Sequence, residues 1–230
     1  MMTTRTIRVT ILDDHQSIID GYMYRLTSVP GFDVVATLSY GEQLEPTLAA
    51  HASDVLLLDI NVPTSAGNPN PYPILHDIPN LLQKYPDLSI LVISMYAERS
   101  LIRAVMEVGA SGYVLKDDQA TIRDLGNAVQ SVASGGIYFS QKASQLLLSQ
   151  KNSTGNGQLS ARQLEALSLC AAYPDWTSAE LAQKMSVSNS TVRNLLSGAY
   201  LRLGVHNRAG AIAKARQLGL ITPDPPLQAG

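Results

Sequence analysis

Five short apolar runs, each followed by a stretch of helical pattern, constrain the first half of this chain more than any other feature. The runs are Arg8-Val9-Thr10-Ile11-Leu12, Asp33-Val34-Val35-Ala36-Thr37-Leu38, Val55-Leu56-Leu57-Leu58, Ser89-Ile90-Leu91-Val92-Ile93 and Gly112-Tyr113-Val114-Leu115. Their aliphatic and β-branched content favours strands. Helix-compatible stretches lie at about 16–28, 41–51, 73–84, 98–108 and 119–134. Strands that alternate with helices pair in parallel, with helices covering both sheet faces. The third and fourth runs show no polar alternation, as expected of strands buried on both sides. The pattern predicts an α/β domain over residues 1–135, with a doubly wound five-stranded parallel sheet.

The second half has a different grammar. Gly135-Gly136 ends the last helical stretch, and residues 136–158 read as a linker whose core is the polar, aperiodic Gln150-Lys151-Asn152-Ser153-Thr154-Gly155-Asn156-Gly157-Gln158. Residues 159–221 then read as a second, small all-α domain. Ser160-Ala161-Arg162-Gln163 and Thr177-Ser178-Ala179-Glu180 both fit the capping box. Ser188 and Asn207 suit N-caps, and Gly219 suits a helix end. The proline-rich segment 222–230 reads as a disordered tail.

Composition narrows the classes. Apolar residues make up 45% of the chain and charged residues 16%, which supports buried cores and argues against intrinsic disorder. No apolar run approaches the ~20 residues that span a bilayer, and Met1-Met2-Thr3-Thr4-Arg5-Thr6-Ile7-Arg8 has no hydrophobic signal segment. A cytoplasmic protein with no membrane partner is expected. The single cysteine, Cys170, excludes an intramolecular disulfide or a cysteine-based zinc cluster. The net charge of −2 conceals an asymmetry. Residues 1–140 carry 8 Lys+Arg against 15 Asp+Glu, whereas 141–230 carry 9 against 4. Two domains with different partners fit that split, the basic one meeting nucleic acid.

In a parallel sheet the functional crevice lies beyond the carboxyl ends of the strands. There the sequence places Asp13 and Asp14, Asp59, Ser94 and Lys116. Carboxylates that converge repel one another, so the cluster makes sense around a hard cation, and few protein oxygens suit Mg²⁺. A lysine and a hydroxyl beside them suit a phosphoryl group, with Asp59 as the nucleophile that forms an acyl phosphate. Each residue alone also has a plain reading: a turn or helix cap for the Asp pair, a solvated side chain for Lys116. Their joint placement at successive strand ends favours the functional one.

Ile11-Leu12-Asp13-Asp14-His15, Leu57-Leu58-Asp59-Ile60-Asn61-Val62-Pro63, Ile93-Ser94 and Gly112-Tyr113-Val114-Leu115-Lys116 together resemble the CheY-like receiver domain of bacterial response regulators. The resemblance implies that Asp59 accepts a phosphoryl group from a sensor histidine kinase. It implies Mg²⁺ held by Asp13 or Asp14, Asp59 and the carbonyl of Asn61. It also makes Ser94 and Tyr113 the pair that rearranges on phosphorylation, although Tyr113 equally suits plain strand packing. The interval from Asp59 to Ser94 is longer than usual. The excess falls in Thr64–Pro73, where prolines 69, 71 and 73 suggest an extended, stiffened loop. That loop either shields the acyl phosphate or is a tolerated surface insertion.

Thr177–Gly204 reads as two short helices around Ser186-Val187-Ser188, a helix-turn-helix whose second helix can enter a DNA major groove. Ala182, Val187, Val192, Leu195 and Leu196 supply the packing, leaving Ser190, Arg193, Asn194 and Ser197 on the other face. The runs Leu159–Leu167, Ser178–Ala182, Val187–Arg193 and Leu201–Arg208 resemble the LuxR-type domain of NarL/FixJ response regulators. By that resemblance Arg193, Asn194 and Ser197 face base edges, Thr191 and Arg202 approach phosphates, and the helix near 208–218 pairs two protomers as a homodimer. Leu195 stands where histidine is usual, and Gly198 within a helix suggests a close approach. Residues 159–230 hold only 7 Lys+Arg against 4 Asp+Glu, so a shallow salt dependence is expected.

The expected function is a DNA-binding response regulator that controls transcription after phosphorylation of Asp59. A regulator acting through protein contacts, with weak or lost DNA binding, is the alternative. A phosphatase with an aspartyl nucleophile would need a second acid two residues on, where Asn61 stands, so an enzyme is not expected.

Overall fold

The computed structural model describes residues 5–148 and 159–221. The first domain begins β1 (Ile7–Leu12), α1 (Gln16–Thr27), β2 (Phe32–Leu38), a 3-10 turn (Gly41–Gln43), α2 (Leu44–Ala50) and β3 (Val55–Leu58). It continues with β4 (Pro63–Ser65), β5 (Asn68–Pro71), α3 (Ile74–Lys84), β6 (Ser89–Ser94), α4 (Arg99–Glu107) and β7 (Gly112–Leu115). Then come α5 (Gln119–Arg123), α6 (Leu125–Ala133), β8 (Tyr138–Phe139) and α7 (Gln141–Leu148). The helical domain contains α8 (Ala161–Ala172), α9 (Ser178–Met185), α10 (Asn189–Leu203) and α11 (Arg208–Gln217).

The main sheet runs β2-β1-β3-β6-β7-β8, and every pairing in it is parallel. Its central strands lie between two apolar layers. Val55 and Leu57 join Val9, Ile11, Leu91 and Ile93 on the side of α1 and α6, while Leu56 and Leu58 join Ile90 and Val92 on the other. Alternate residues of an unbroken apolar run thus serve opposite faces, which is why β3 and β6 carry no polar alternation. The second layer runs on through α7 into Leu167, Cys170, Leu181 and Val192 of the helical domain. One apolar layer therefore links the two domains.

Three expectations need correction. The sheet has six strands, not five. Of the expected linker, residues 138–148 form β8 and α7, which pack on β7 and α4; residues 149–158 lie outside the described residues, as does the expected tail 222–230. A two-residue strand has too little length to show a periodicity, so β8 left no sequence signal. The stiffened loop is an antiparallel hairpin, β4–β5. Its isolated two-stranded sheet lets prolines sit at positions that need not donate, the edge-strand situation in which proline is tolerated.

Tyr72 ties that hairpin to the domain. Its amide donates to Val62 O at 2.9 Å, its hydroxyl to Asp77 Oδ2 at 2.7 Å, and its side chain packs directly against Gly41. A Cβ at position 41 would stand 2.0 Å from Tyr72 Cγ. Overpacking of this kind costs about 1–3 kcal/mol. Gly41→Ala is therefore expected to lower the urea unfolding free energy by that amount, followed by circular dichroism, and the loss should largely vanish when Tyr72→Ala is already present. An equal loss in both backgrounds would contradict the contact.

Candidate functional site

Hydrogen bonds that continue past the strand ends build the rim of the sheet. Asp13 N donates to Leu38 O at 3.1 Å, Asp59 N to Leu12 O at 2.9 Å and Lys116 N to Ser94 O at 2.9 Å. The residues after β1, β3 and β7 are thereby held in register, and their side chains converge. Lys116 Nζ donates to Asp13 Oδ2 at 2.6 Å and to Asp59 Oδ2 at 2.7 Å. All three side chains are nearly buried, at 9%, 2% and 7% exposed. Burial alone would lower the pKa of Lys116, but its bonds to Asp13 and Asp59 outweigh that and hold it above the ordinary lysine value.

Asp14 is more open and pairs with His15 Nδ1 at 2.8 Å. Asp13, Asp14 and His15 offer ligand atoms within 4.8 Å of one another; Asp59 is outside that group and reaches Asp13 through Lys116. Asn61 N donates to Asp59 Oδ1 at 3.2 Å, so the segment expected to lend a carbonyl folds back onto the Asp59 carboxylate. Three carboxylates against one ammonium leave the cluster two charges negative, which a divalent cation would balance. Oxygen donors of this kind suit Mg²⁺.

Ser94 is fully buried at the end of β6, beside β3 and β7. Its Oγ accepts from Tyr96 N at 3.2 Å. Tyr113 is also fully buried and donates its hydroxyl proton to Tyr96 O at 2.7 Å. Burial pushes the Tyr113 phenol up to about 12, with the nearby Ser94 hydroxyl acting in the opposite sense. Both expected switch residues thus grip the same β6–α4 loop. Tyr22 of α1 is a member of this neighbourhood that the sequence did not disclose. It is 4% exposed, and burial, then the fields of Asp13 and Asp59, raise its pKa above the ordinary tyrosine value. Its spacing with Ile19 and Leu26 reads as ordinary core periodicity.

On the outer side, Tyr72 and Pro73 after the hairpin form an apolar cleft of about 390 Å³ with Ile60, Asn61, Tyr96 and Leu101. The insertion therefore borders the segment that follows Asp59.

The helical domain forms as its caps require. Both capping boxes are present, and Ser188 and Asn207 accept from Thr191 N and Gly210 N. Gly198 does meet a close neighbour, since a Cβ there would lie 2.6 Å from Gln163 Nε2. Arg202 donates to Gln163 Oε1. The polar face of α10 points at the first domain. Arg193, 4% exposed, donates through Nη1 to Leu88 O at 2.7 Å and through Nη2 to Pro86 O at 3.4 Å. Asn194 Nδ2 donates to Glu107 O at 3.1 Å, and Asn189 Nδ2 donates to Pro86 O. Ser197 is buried at 4% exposure, and Thr191 is partly buried, its hydroxyl meeting that of Ser188. The residues expected to face bases therefore share one face, and in this conformation α3, α4 and the 86–88 segment cover it. Burial lowers the Arg193 pKa to about 10, partly opposed by Asp87, and its Nε finds no partner among the described residues.

Residues 9–129 match the response regulator receiver domain, and residues 157–215 match the bacterial regulatory proteins of the luxR family. The chain is a response regulator. Its two domains are those of the NarL/FixJ type, a receiver followed by a LuxR-type DNA-binding domain. It is 28% identical over 235 residues to the transcriptional regulatory protein DegU of Brevibacillus brevis, covering 94% of this chain and 95% of that one. It is 26% identical over 217 residues to the transcriptional activator DevR/DosR of Mycobacterium tuberculosis, covering 92% and 95%. Among solved structures, RcsB of Salmonella typhimurium matches with a TM-score of 0.55 and 25% identity, covering 91% of this chain and 97% of that one. A structure of RcsB dimers bound to DNA matches with the same score and identity, covering 95% and 100%. Among the described residues, no helix is long and apolar enough to cross a membrane.

Removing one member of a buried ion pair costs about 3–5 kcal/mol, because the remaining charge is left without compensation. Lys116→Ala is expected to destabilise the receiver by that order in urea titrations without divalent ions. Millimolar Mg²⁺ should recover a substantial part of the loss, and recovery by Na⁺ at matched ionic strength would count against a cation site.

Proposed function

We propose that this response regulator is phosphorylated on Asp59 by a sensor histidine kinase and that phosphorylation frees the face of α10 to read DNA as a homodimer. The observation that carries the first part is the buried bridge of Lys116 between Asp13 and Asp59. A carboxylate oxygen of Asp59 attacks the phosphorus of a phosphohistidine. The O–P bond forms as the N–P bond breaks, and the electron pair stays on the imidazole nitrogen, which takes up a proton. Lys116 and the Ser94 hydroxyl hold oxygens of the transferred group, and Asn61 N steadies the second carboxylate oxygen. Asp13, Asp14, Asp59 and the Asn61 carbonyl are the residues that would hold Mg²⁺, which neutralises charge on the phosphoryl oxygens when bound. A ligand or modification shifts a conformational equilibrium only through its differential interaction with the two states. Here the difference lies in bonds that only the phosphorylated form offers to Ser94, Lys116 and Mg²⁺.

The second part rests on the docked α10 face. Arginine suits a guanine edge and asparagine an adenine edge, and the same donors now satisfy receiver carbonyls. DNA and receiver compete for one surface. Thr191 and Arg202 would complete the contact on phosphates, and the DNA-bound RcsB dimers supply the analogy for a paired complex.

Acetyl phosphate should label the wild type in the presence of Mg²⁺ and leave Asp59→Asn unlabelled; equal labelling of both would refute the assignment. Mobility shifts on pooled genomic fragments, at two salt concentrations, should tighten on phosphorylation. Arg193→Ala should lose about 1–3 kcal/mol of DNA binding in the phosphorylated state. A labelled protein whose DNA binding does not respond would instead be a regulator working through protein contacts.

A further inference from the structure

Residues 113–118 carry two groups of the phosphoacceptor region, Tyr113 and Lys116, and they are tied at several points to the start of α7. Ser140 N donates to Tyr113 O at 3.1 Å, and Leu115 N donates to Ser140 Oγ at 3.2 Å. Lys142 Nζ donates to Asp117 Oδ2 at 2.7 Å, while Lys142 N donates to Asp118 Oδ2 at 3.1 Å. Asp118 is 5% exposed, and its other oxygen accepts from Thr121 N at 3.4 Å at the start of α5. One turn further along α7, Ser144 Oγ meets His206 Nδ1 at 2.9 Å. His206 belongs to the helical domain, in the turn between α10 and α11. Ala143 and Leu147 anchor α7 in the shared apolar layer at 0% and 6% exposure.

We propose that α7 is the lever by which the state of Asp59 reaches the helical domain, with the Asp117/Asp118–Lys142 contacts as its inner grip and Ser144–His206 as its outer one. The inference rests on the reading that Asp59 is phosphorylated. At rest, Lys116 holds Asp13 and Asp59 together. A phosphoryl group on Asp59 presents its oxygens to Lys116 at new positions, so the ammonium leaves at least one carboxylate. Asp117 and Asp118 follow Lys116 directly in the chain, and their bonds to Lys142 pass that displacement to the helix. A close-packed helix responds by moving as a body rather than by deforming. The Ser144–His206 bond lies across the domain boundary, where such motion has its effect. The direct contact of α4 with α10 through Asn194 is the competing route.

Lys142 and Asp117 touch neither the phosphoacceptor nor the face of α10, so they separate the routes. Full-length wild type, the double variant Asp118→Ala/Lys142→Ala, which removes both bonds of the inner grip because Asp118 is reached through the Lys142 backbone amide, and the exchanged pair Asp117→Lys/Lys142→Asp are compared with and without acetyl phosphate. Labelling, the fold-gain in DNA binding on phosphorylation, and amide hydrogen exchange at 141–147 are read in each. Asp118→Ala/Lys142→Ala should label at the wild-type rate, lose more than two-thirds of the fold-gain, and show no phosphorylation response in α7 exchange. The exchanged pair should recover both. A fold-gain and exchange response in Asp118→Ala/Lys142→Ala equal to wild type would overturn the lever and assign the coupling to α4. Absence of labelling in the wild type would instead overturn the phosphorylation reading itself, and the lever with it.

Discussion

The ammonium of Lys116 is the constraint on which the rim of the sheet depends. Asp13 and Asp59 are both nearly buried and face each other across it. Without the lysine two carboxylates would share a site of low dielectric, where mutual repulsion and desolvation both disfavour ionisation. The strand register that fixes Lys116 is set by β6 and β7, whereas β1 and β3 fix the two aspartates. Stability of the sheet edge and the proposed reactivity of Asp59 therefore depend on one residue. Any event that offers Lys116 a better partner must also loosen what it holds.

In the proposed mechanism that dependence is what the second domain would respond to. The face of α10 carries Arg193, Asn194 and Asn189, all donors that now end on backbone carbonyls of the receiver. A carbonyl oxygen and the acceptors of a DNA groove ask for the same donors, so under the proposed mechanism one surface would serve both states. Docking does not suit Arg193 equally well. Burial lowers its pKa to about 10 and leaves Nε without a partner among the described residues. The charged guanidinium is better solvated in water, so its burial works against the docked state while the apolar layer beneath it works in favour. Opposed contributions of this kind would keep the proposed docking equilibrium within reach of a local chemical change.

The legible parts were those whose signals are local. Apolar runs located β1, β2, β3, β6 and β7 to within a residue or so: β3 and β6, buried on both faces, have no freedom to be largely polar, whereas the half-exposed edge strand β2 was marked by its β-branched content. Capping boxes at Ser160 and Thr177 marked α8 and α9 because the bonds close within four residues. Asp13, Asp59 and Lys116 were found through topology, since parallel strands bring their carboxyl ends to one rim. What stayed hidden was either too short or too remote. Tyr138–Phe139 is a strand only because β7 is beside it. The β4–β5 hairpin hides behind prolines that usually argue against strands. Tyr22 follows a core periodicity and reveals nothing of the carboxylates next to it.

Local chemistry thus determined by itself that the chain would form a parallel α/β domain with an acidic rim and a helical domain in which the second helix of the helix-turn-helix carries a polar face. Hydropathy, capping and strand-end placement act over a few residues and need no knowledge of the whole. Only the tertiary structure decided that α7 belongs to the receiver, that Lys116 rather than open water stands between the aspartates, and that the polar face of α10 is turned inward. Those outcomes depend on contacts between residues as much as about 100 positions apart, such as Lys116 with Asp13 and Arg193 with Leu88. A donor carries no mark in the sequence of which acceptor it will meet, because donors and acceptors are chemically interchangeable until packing brings particular ones together.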